Sequence, residues 1–337
     1  MYKFKYPSLI SVFVTNNCNL NCRHCCFDSG NKVGNELDTT DIITVLDKIV
    51  ETGIVCLDFS GGEPFLRGDL LDLVEYSFEN GIQSISIATN ALCITEEQMT
   101  RLKSIQDRFH LLFLRLSLDG ASKETHEWIR GANTFEPTLE KFKELKNRGI
   151  NLRELNTVVS KMNYHELTDI VQIAKSFRIK TSVFLPLIPV GRAENINKYM
   201  VSIDEWKQLC IDKSSMESKY GIEIFADSPV SSTLDEKKIN SSLPCMCGYQ
   251  FLGIRPNGDY SVCPIVSDGG EGNIFELSIE EYWRDSKLLN DIRNIDKLEG
   301  KCSMCRYKNL CRGGCRGLAY CISNSWLKPD PLCWINV

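Results

Sequence analysis

Apolar residues follow two rhythms along this chain. Short runs at 9–15, 54–60, 84–89, 112–118, 152–159 and 180–187 are rich in Ile, Leu, Val and Phe and read as buried strands. Segments 39–52, 69–80, 95–105, 136–148, 164–177 and 202–219 instead space their apolar residues at the helical period. Asp38 or Thr39 is placed to cap the first helix, and Thr95, followed by Glu96 and Glu97, opens the third. Gly53, Gly81 and Gly149 stand where helices should stop, just before the next strand. Six strand–helix units in series predict a parallel sheet with right-handed crossovers. Ligand groups are then expected at the C-terminal ends of the strands.

From about Tyr220 the pattern changes. Apolar runs shorten, turn residues increase and cysteines crowd together. Residues 249–263 predict a hairpin around Pro256-Asn257-Gly258-Asp259, because Asn-Gly favours tight turns. Residues 278–291 predict one amphipathic helix, and Asp227 to Ser242 reads as a polar loop within a stretch, 200–244, that carries no legible motif. The chain therefore divides into 1–220 and 221–337, with 200–244 as the bridge.

Its 337 residues suffice for one large domain and a smaller one. The net charge of −5, with Lys and Arg scattered, argues against a nucleic-acid grip. No run approaches the roughly 20 apolar residues of a membrane span, and Met1 to Ser8 has no signal-peptide core. A cytoplasmic protein with no membrane partner is the expectation. In that setting sixteen cysteines read as metal ligands rather than disulfides.

The first cysteines follow the first strand as Cys18-Asn-Leu-Asn-Cys22-Arg-His-Cys25. Three thiolates on one loop suit three irons of a [4Fe–4S] cluster, leaving the fourth iron open to a small molecule. A four-ligand zinc site would need a partner pair nearby, and none is there. Gly61-Gly62-Glu63-Pro64 follows the second strand; two glycines allow close backbone approach, and Glu63 offers an acceptor to an ammonium.

Together these elements resemble the radical S-adenosylmethionine (radical SAM) superfamily. The resemblance implies an α/β fold, a partial (β/α)6 TIM-type barrel, followed here by a small cysteine-rich C-terminal iron–sulfur domain. It implies a SAM-binding cluster on Cys18, Cys22 and Cys25, and SAM contacts from Gly61, Gly62, Glu63 and Pro64. His24 takes the position where the family places an aromatic residue near the adenine. Ser117, in Leu116-Ser117-Leu118-Asp119-Gly120, and Asn90, in Thr89-Asn90, are further candidate SAM contacts. Arg130 suits the SAM carboxylate, a surface salt bridge being the alternative. Arg192, after the sixth strand, is a candidate for SAM or substrate, or equally a solvated loop arginine.

The second array comprises Cys245, Cys247, Cys263, Cys302, Cys305, Cys311, Cys315, Cys321 and Cys333. With Cys311-Arg-Gly-Gly-Cys315-Arg-Gly and Asp330-Pro331-Leu332-Cys333 it resembles the SPASM extension of radical SAM enzymes. The family pattern implies an outer cluster on Cys302, Cys305, Cys311 and Cys333. It implies an inner one on Cys247, Cys263 and Cys315, with Cys245 a possible fourth ligand. Taken alone, Cys302, Cys305, Cys311 and Cys315 would equally suit a zinc ribbon. Cys321 is a spare ligand or a buried thiol, and Cys26, Cys56, Cys93 and Cys210 default to buried small hydrophobes. Asp259 and Asp268 flank the inner set as weak candidates for a general base. Pro264 stands where the related sulfatase-maturing enzymes carry an aspartate, which counts against that activity.

The resemblance implies reductive cleavage of SAM, three [4Fe–4S] clusters and a net two-electron oxidation of substrate. A ribosomally made peptide is the first expectation and a tetrapyrrole side chain the second. Flavodoxin or ferredoxin is the expected electron donor. Leu9 already begins the first strand, so the expectation is that a separate protein supplies leader recognition or that the substrate bears no leader.

Overall fold

The computed structural model describes residues 5–31, 34–226, 229–233, 245–266 and 271–336. Strands β1 (Leu9–Phe13), β2 (Cys56–Ser60), β3 (Ser84–Thr89), β4 (Leu112–Ser117), β5 (Leu152–Val159) and β6 (Thr181–Pro186) stand in chain order, each parallel to the last. The crossovers carry α1 (Thr39–Glu51), α2 (Leu70–Glu79), α3 (Glu96–Arg108), α4 (Lys123–Arg130), α5 (Phe135–Asn147) and α6 (Leu167–Ser176), and α7 (Ile203–Tyr220) follows β6. This is the expected α/β fold with a TIM-like partial barrel.

Local chemistry sets the boundaries. Asp38 caps α1 through a reciprocal pair of bonds with Asp41, and Thr95 caps α3 in the same way with Gln98. Gly53, Gly81 and Gly149 all turn the chain at positive φ after a helix. On β4, Leu112, Leu114 and Leu116 are fully buried, while Arg115 and Ser117 line a cavity. Each such buried aliphatic side chain contributes about 1.5–3 kcal/mol.

The sheet continues past the six units on both sides. Strand β7 (Glu223–Ala226) pairs with β6, so the sheet crosses the boundary expected at residue 220. Strand β8 (Phe251–Ile254) runs parallel along β1, and β9 (Tyr260–Ser261) returns antiparallel to β8 in the expected hairpin. The edge of β1 is thus covered by the cysteine-rich region itself. Cys247 forms a bridge with Phe251, and Cys263 lies two residues beyond β9.

Two details differ from the sequence reading, and a third lies mostly outside the described residues. The single helix expected over 278–291 is two, α8 (Ile279–Asp285) and α9 (Lys287–Arg293). Ser286 leaves helical backbone between them and caps α9 by accepting from the Leu289 amide. Helix α4, capped by Ser122, was not expected, because it is only eight residues long. Of the loop expected over Asp227 to Ser242, only 229–233 is described, as a short turn of 3₁₀ helix; the rest lies outside the described residues. Two short helices, α10 (Lys308–Cys311) and α11 (Arg316–Ser323), complete the tail. Among the described residues no helix is long and apolar enough to cross a membrane.

Candidate active site

The first cysteine loop hangs over the C-terminal ends of β1 and β2. The Cys18 amide donates to the Gly30 carbonyl, and the Arg23 amide to that of Ile129. Gly61 and Gly62 lie hard against the start of the loop: a Cβ on Gly61 would sit 2.3 Å from the Thr15 carbonyl oxygen, and one on Gly62 2.2 Å from that of Asn17. The Gly62 and Glu63 amides donate to those same carbonyls at 2.7 and 2.8 Å. The glycine pair is therefore required for strand-to-loop packing, a role beyond the ligand approach the sequence suggested.

From the other side Arg192 clamps the loop. Its amide donates to the Cys25 carbonyl and its Nε to the Cys22 carbonyl at 2.9 Å, while Nη1 pairs with Asp28 at 2.7 Å. Gly191 precedes it at φ +61°, where a Cβ would meet the Cys26 and Cys25 carbonyl oxygens at 2.6 and 2.8 Å. Arg192 is therefore not a solvated loop arginine: it holds the cysteine loop and also reaches the cavity beside it.

A cavity of about 260 Å³ opens beside the loop. It gathers Cys18, Cys22, His24, Cys25, Gly61, Gly62, Asn90, Ser117, Arg130 and Arg192. These residues come from six separate places in the sequence and meet only through the barrel. Glu63 and Pro64 lie behind the wall instead. Pro64 starts a buried 3₁₀ turn, and the Glu63 carboxylate, with no exposed surface, accepts from Thr89 Oγ1 (2.7 Å) and from the Asn90 (2.8 Å) and Phe65 (3.2 Å) amides. Burial pushes the Glu63 carboxyl up to about 7 in spite of these donors.

Asp119 ties the site together. Its Oδ2 lies 2.6 Å from His24 Nε2 and 2.5 Å from Arg130 Nε, and its Oδ1 accepts from the Val158 amide at 2.7 Å. Burial alone would raise this carboxyl, but the Arg130 guanidinium and His24 outweigh it and hold it well below the usual carboxylate range. Arg130 is thus an ion-pair partner inside the protein and a cavity residue at once, not part of a surface salt bridge. The neighbouring His126 is buried, and its pKa falls to about 4, so it is neutral at pH 7.

The tail cysteines separate into two groups. Cys302, Cys305, Cys311 and Cys333 line one small cavity with Val230 and Gly313. Cys247 hydrogen-bonds to both Cys245 and Cys263, which favours the thiolate on those two, and Cys315 lies in the field of Cys245 and Cys263. The Gly-Gly-Cys-Arg motif has a packing cause. A Cβ on Gly314 would lie 2.3 Å from the Asp330 side chain, which accepts from the Cys315 amide, and one on Gly313 2.6 Å from the Arg316 guanidinium. Arg316 is itself buried and donates to the Trp326 and Lys328 carbonyls.

A single zinc ion would draw its thiolates to about 2.3 Å from one point. Among the described residues no three His, Cys, Asp or Glu converge that tightly. The all-thiol donor sets, spread around small spaces, fit iron–sulfur clusters. Of the remaining cysteines only Cys26 is among the residues lining these two cavities. Cys210 is buried as expected, Cys56 and Cys93 are half-buried, and Cys321 sits half-buried on α11. Cys26 departs from its default, since it lines the main cavity. The Asp259 carboxylate is spent on the hairpin, accepting from Asn257 Nδ2 and Asn273 Nδ2. Asp268 lies outside the described residues.

Family models match the chain over most of this framework: the radical SAM superfamily over residues 12–174 and an iron–sulfur cluster-binding domain, SPASM, over 245–306. The chain carries a radical SAM domain followed by a SPASM domain. As a radical SAM/SPASM enzyme it is implied to use SAM and [4Fe–4S] clusters. It is 28% identical to the AdoMet-dependent heme synthase of Methanosarcina barkeri, over 97% of this chain and 96% of that protein. It is 25% identical to the mycofactocin maturase MftC of Mycobacterium tuberculosis, over 97% of this chain and 83% of that one. Its fold superposes on the crystal structure of Streptococcus suis SuiB bound to precursor peptide SuiA with a TM-score of 0.81, at 18% identity, covering 98% of this chain and 77% of SuiB.

The sequence reading missed Asp119 and the loop-clamping role of Gly191 and Arg192. Asp119 stands inside a segment singled out for its serine, and its place just past the C-terminal end of a strand, where ligand groups were expected, was the available signal.

Proposed function

We propose that this radical SAM/SPASM protein oxidises a ribosomally made peptide, forming a cross-link or a related two-electron product. The observation that carries the reading is the single cavity that gathers the three-cysteine loop, the Gly61-Gly62 backbone and Arg130. Cys18, Cys22 and Cys25 would hold the first cluster; Cys302, Cys305, Cys311 and Cys333 the outer; Cys245, Cys247, Cys263 and Cys315 the inner. When bound, the first cluster and SAM supply a 5′-deoxyadenosyl radical that takes hydrogen from an unactivated carbon, and the auxiliary clusters supply an acceptor for the electron left on the substrate.

The chain's own residues do the positioning. Arg130 faces the cavity with its Nε fixed by Asp119, leaving the rest of its guanidinium for a carboxylate. Asn90 and Ser117 offer polar edges, while Val158, Leu185 and Ile188 supply an apolar wall that excludes water from the reacting carbon. Residues 1–220 would thus bind SAM and 221–337 the auxiliary clusters, with a separate leader-recognition protein and a flavodoxin or ferredoxin as partners.

Peptide substrates are supported by relatives named for peptide maturation, including a PqqA peptide cyclase of Bradyrhizobium diazoefficiens at 26% identity. A second reading, oxidation of a tetrapyrrole side chain, is favoured by the 28% identity to a heme synthase over nearly its whole length. Mass spectrometry separates them. The reconstituted enzyme is incubated with SAM, reductant and either the peptides encoded beside its gene or a propionate-bearing tetrapyrrole. Loss of two hydrogens from a peptide supports the first reading. Conversion of the tetrapyrrole alone would replace it with the second.

A further inference from the structure

The inward face of the sheet carries charge where a barrel of parallel strands usually carries branched aliphatic side chains. Ser11 on β1, Asp58 on β2 and Ser86 on β3 stand in register across three paired strands. Asp58 is 4% exposed. It accepts from Ser11 Oγ at 2.8 Å, from Ser86 Oγ at 2.5 Å and from Arg115 Nη1, on β4, at 2.6 Å. Glu154 on β5 lies 3.2 Å from Arg115 Nε. Buried ion pairs add little net stability over apolar packing, so stability alone does not account for an arginine here.

Arg115 is also part of the cavity. It stands one inward-facing step below Ser117 on β4, away from the cysteine loop, and so lies at the cavity floor. The charge around that cavity is one-sided. Arg115, Arg130 and Arg192 line it, and among the described residues no Asp or Glu does. Two of these three are committed. Arg192 pairs with Asp28 and holds the cysteine loop, and Arg130 is assigned above to the single carboxylate of SAM. Asp58 anchors Arg115 from behind the wall, as Asp119 anchors Arg130. A guanidinium held in this way presents its remaining N–H groups in a fixed direction, which suits a carboxylate.

We propose that Arg115 recognises a carboxylate of the substrate and so sets which substrate enters the cavity. The inference rests on the reading of this cavity as the place where SAM and substrate meet. In a peptide the carboxylate is an acidic side chain or the C-terminus; in a tetrapyrrole it is a propionate.

The test compares matched substrates on the reconstituted enzyme. Peptides encoded beside its gene are set against the same peptides with Asp and Glu replaced by Asn and Gln and the C-terminus amidated. A propionate-bearing tetrapyrrole is set against its methyl ester. Conversion is followed by mass spectrometry and SAM affinity by equilibrium dialysis, for the parent, Arg115→Lys and Arg115→Met. A double variant, Asp58→Asn with Arg115→Met, leaves no buried carboxylate unpaired and serves if the single variant does not fold. The parent should show a KM at least about tenfold lower for the acid than for its neutral partner. That ratio should collapse towards one in Arg115→Met and in the double variant, with SAM affinity unchanged, and be kept in part by Arg115→Lys. The pair that shows the ratio identifies the source of the carboxylate. A parent indifferent to the acid, or one that prefers the neutral form because Asp58 and Glu154 dominate the floor, overturns the proposal. So does a ratio that survives in Arg115→Met, or a loss of SAM affinity in its place. A parent that converts neither substrate class overturns the proposed function itself, and this inference falls with it.

Discussion

At the scale of single residues, Asp119 makes the sharpest prediction. One fully buried carboxylate joins His24, inside the cysteine loop, to Arg130 on α4. Asp119→Asn keeps the shape and removes the charge. Loss of a charged hydrogen bond is worth about 1.5–3 kcal/mol, so SAM affinity should fall about tenfold or more, read by equilibrium dialysis on a variant with parental circular dichroism. Unchanged affinity would mean that Arg130 needs no orienting partner. Glu63 predicts a pH effect. Its folded pKa is about 7 against 4.5 for an unperturbed glutamate. The folded state keeps a proton that the unfolded chain releases above pH 4.5, so stability falls as pH rises from 4.5 to 7 and levels off beyond. Glu63→Gln should flatten that fall, on the order of 3 kcal/mol, in urea titrations at the two ends of the window. The cysteine motifs stand out in the sequence because their spacing is local. Asp119 does not, because it joins His24 and the Val158 amide, which are distant in the sequence and meet only in the fold.

At the scale of elements, the strands and most helices were legible from period alone, since each buries one face against its neighbour. The 278–291 helix was misread because Ser286 acts as a cap within an unbroken apolar pattern. Ser286→Ala should cost about 1 kcal/mol, measured as a lower denaturation midpoint; no change would mean that the α8–α9 break is held by packing alone. The loop after β6 shows a second kind of illegibility. Gly191 looks like any turn glycine, yet its positive φ and its approach to the Cys25 and Cys26 carbonyls support the cysteine loop. Gly191→Ala puts an L side chain into left-handed backbone, costing about 1–2 kcal/mol before the clash is counted. It should lower both the thermal midpoint and the iron retained at the first site. Full iron retention would separate the loop's geometry from its clamp.

At the scale of the whole molecule, the cysteine-rich region is joined to the barrel by the sheet itself. Strand β8 lies along β1, so the turn bearing Cys263 and the loop bearing Cys25 share a single buried neighbour in Arg255. The sequence reading placed a boundary near residue 220, where composition changes; backbone pairing ignores composition and carries the sheet across it. The four cysteines around the outer cavity were grouped in the sequence by resemblance alone, and the fold gives the grouping a place. The most direct test of a radical SAM enzyme with three cluster sites is iron, sulfide and zinc analysis of the anaerobically reconstituted protein, with 5′-deoxyadenosine measured under a strong reductant. The account predicts about twelve irons per chain, little zinc and formation of 5′-deoxyadenosine. About four irons with zinc in the tail, or a fully loaded protein that leaves SAM intact with every candidate substrate, would contradict it.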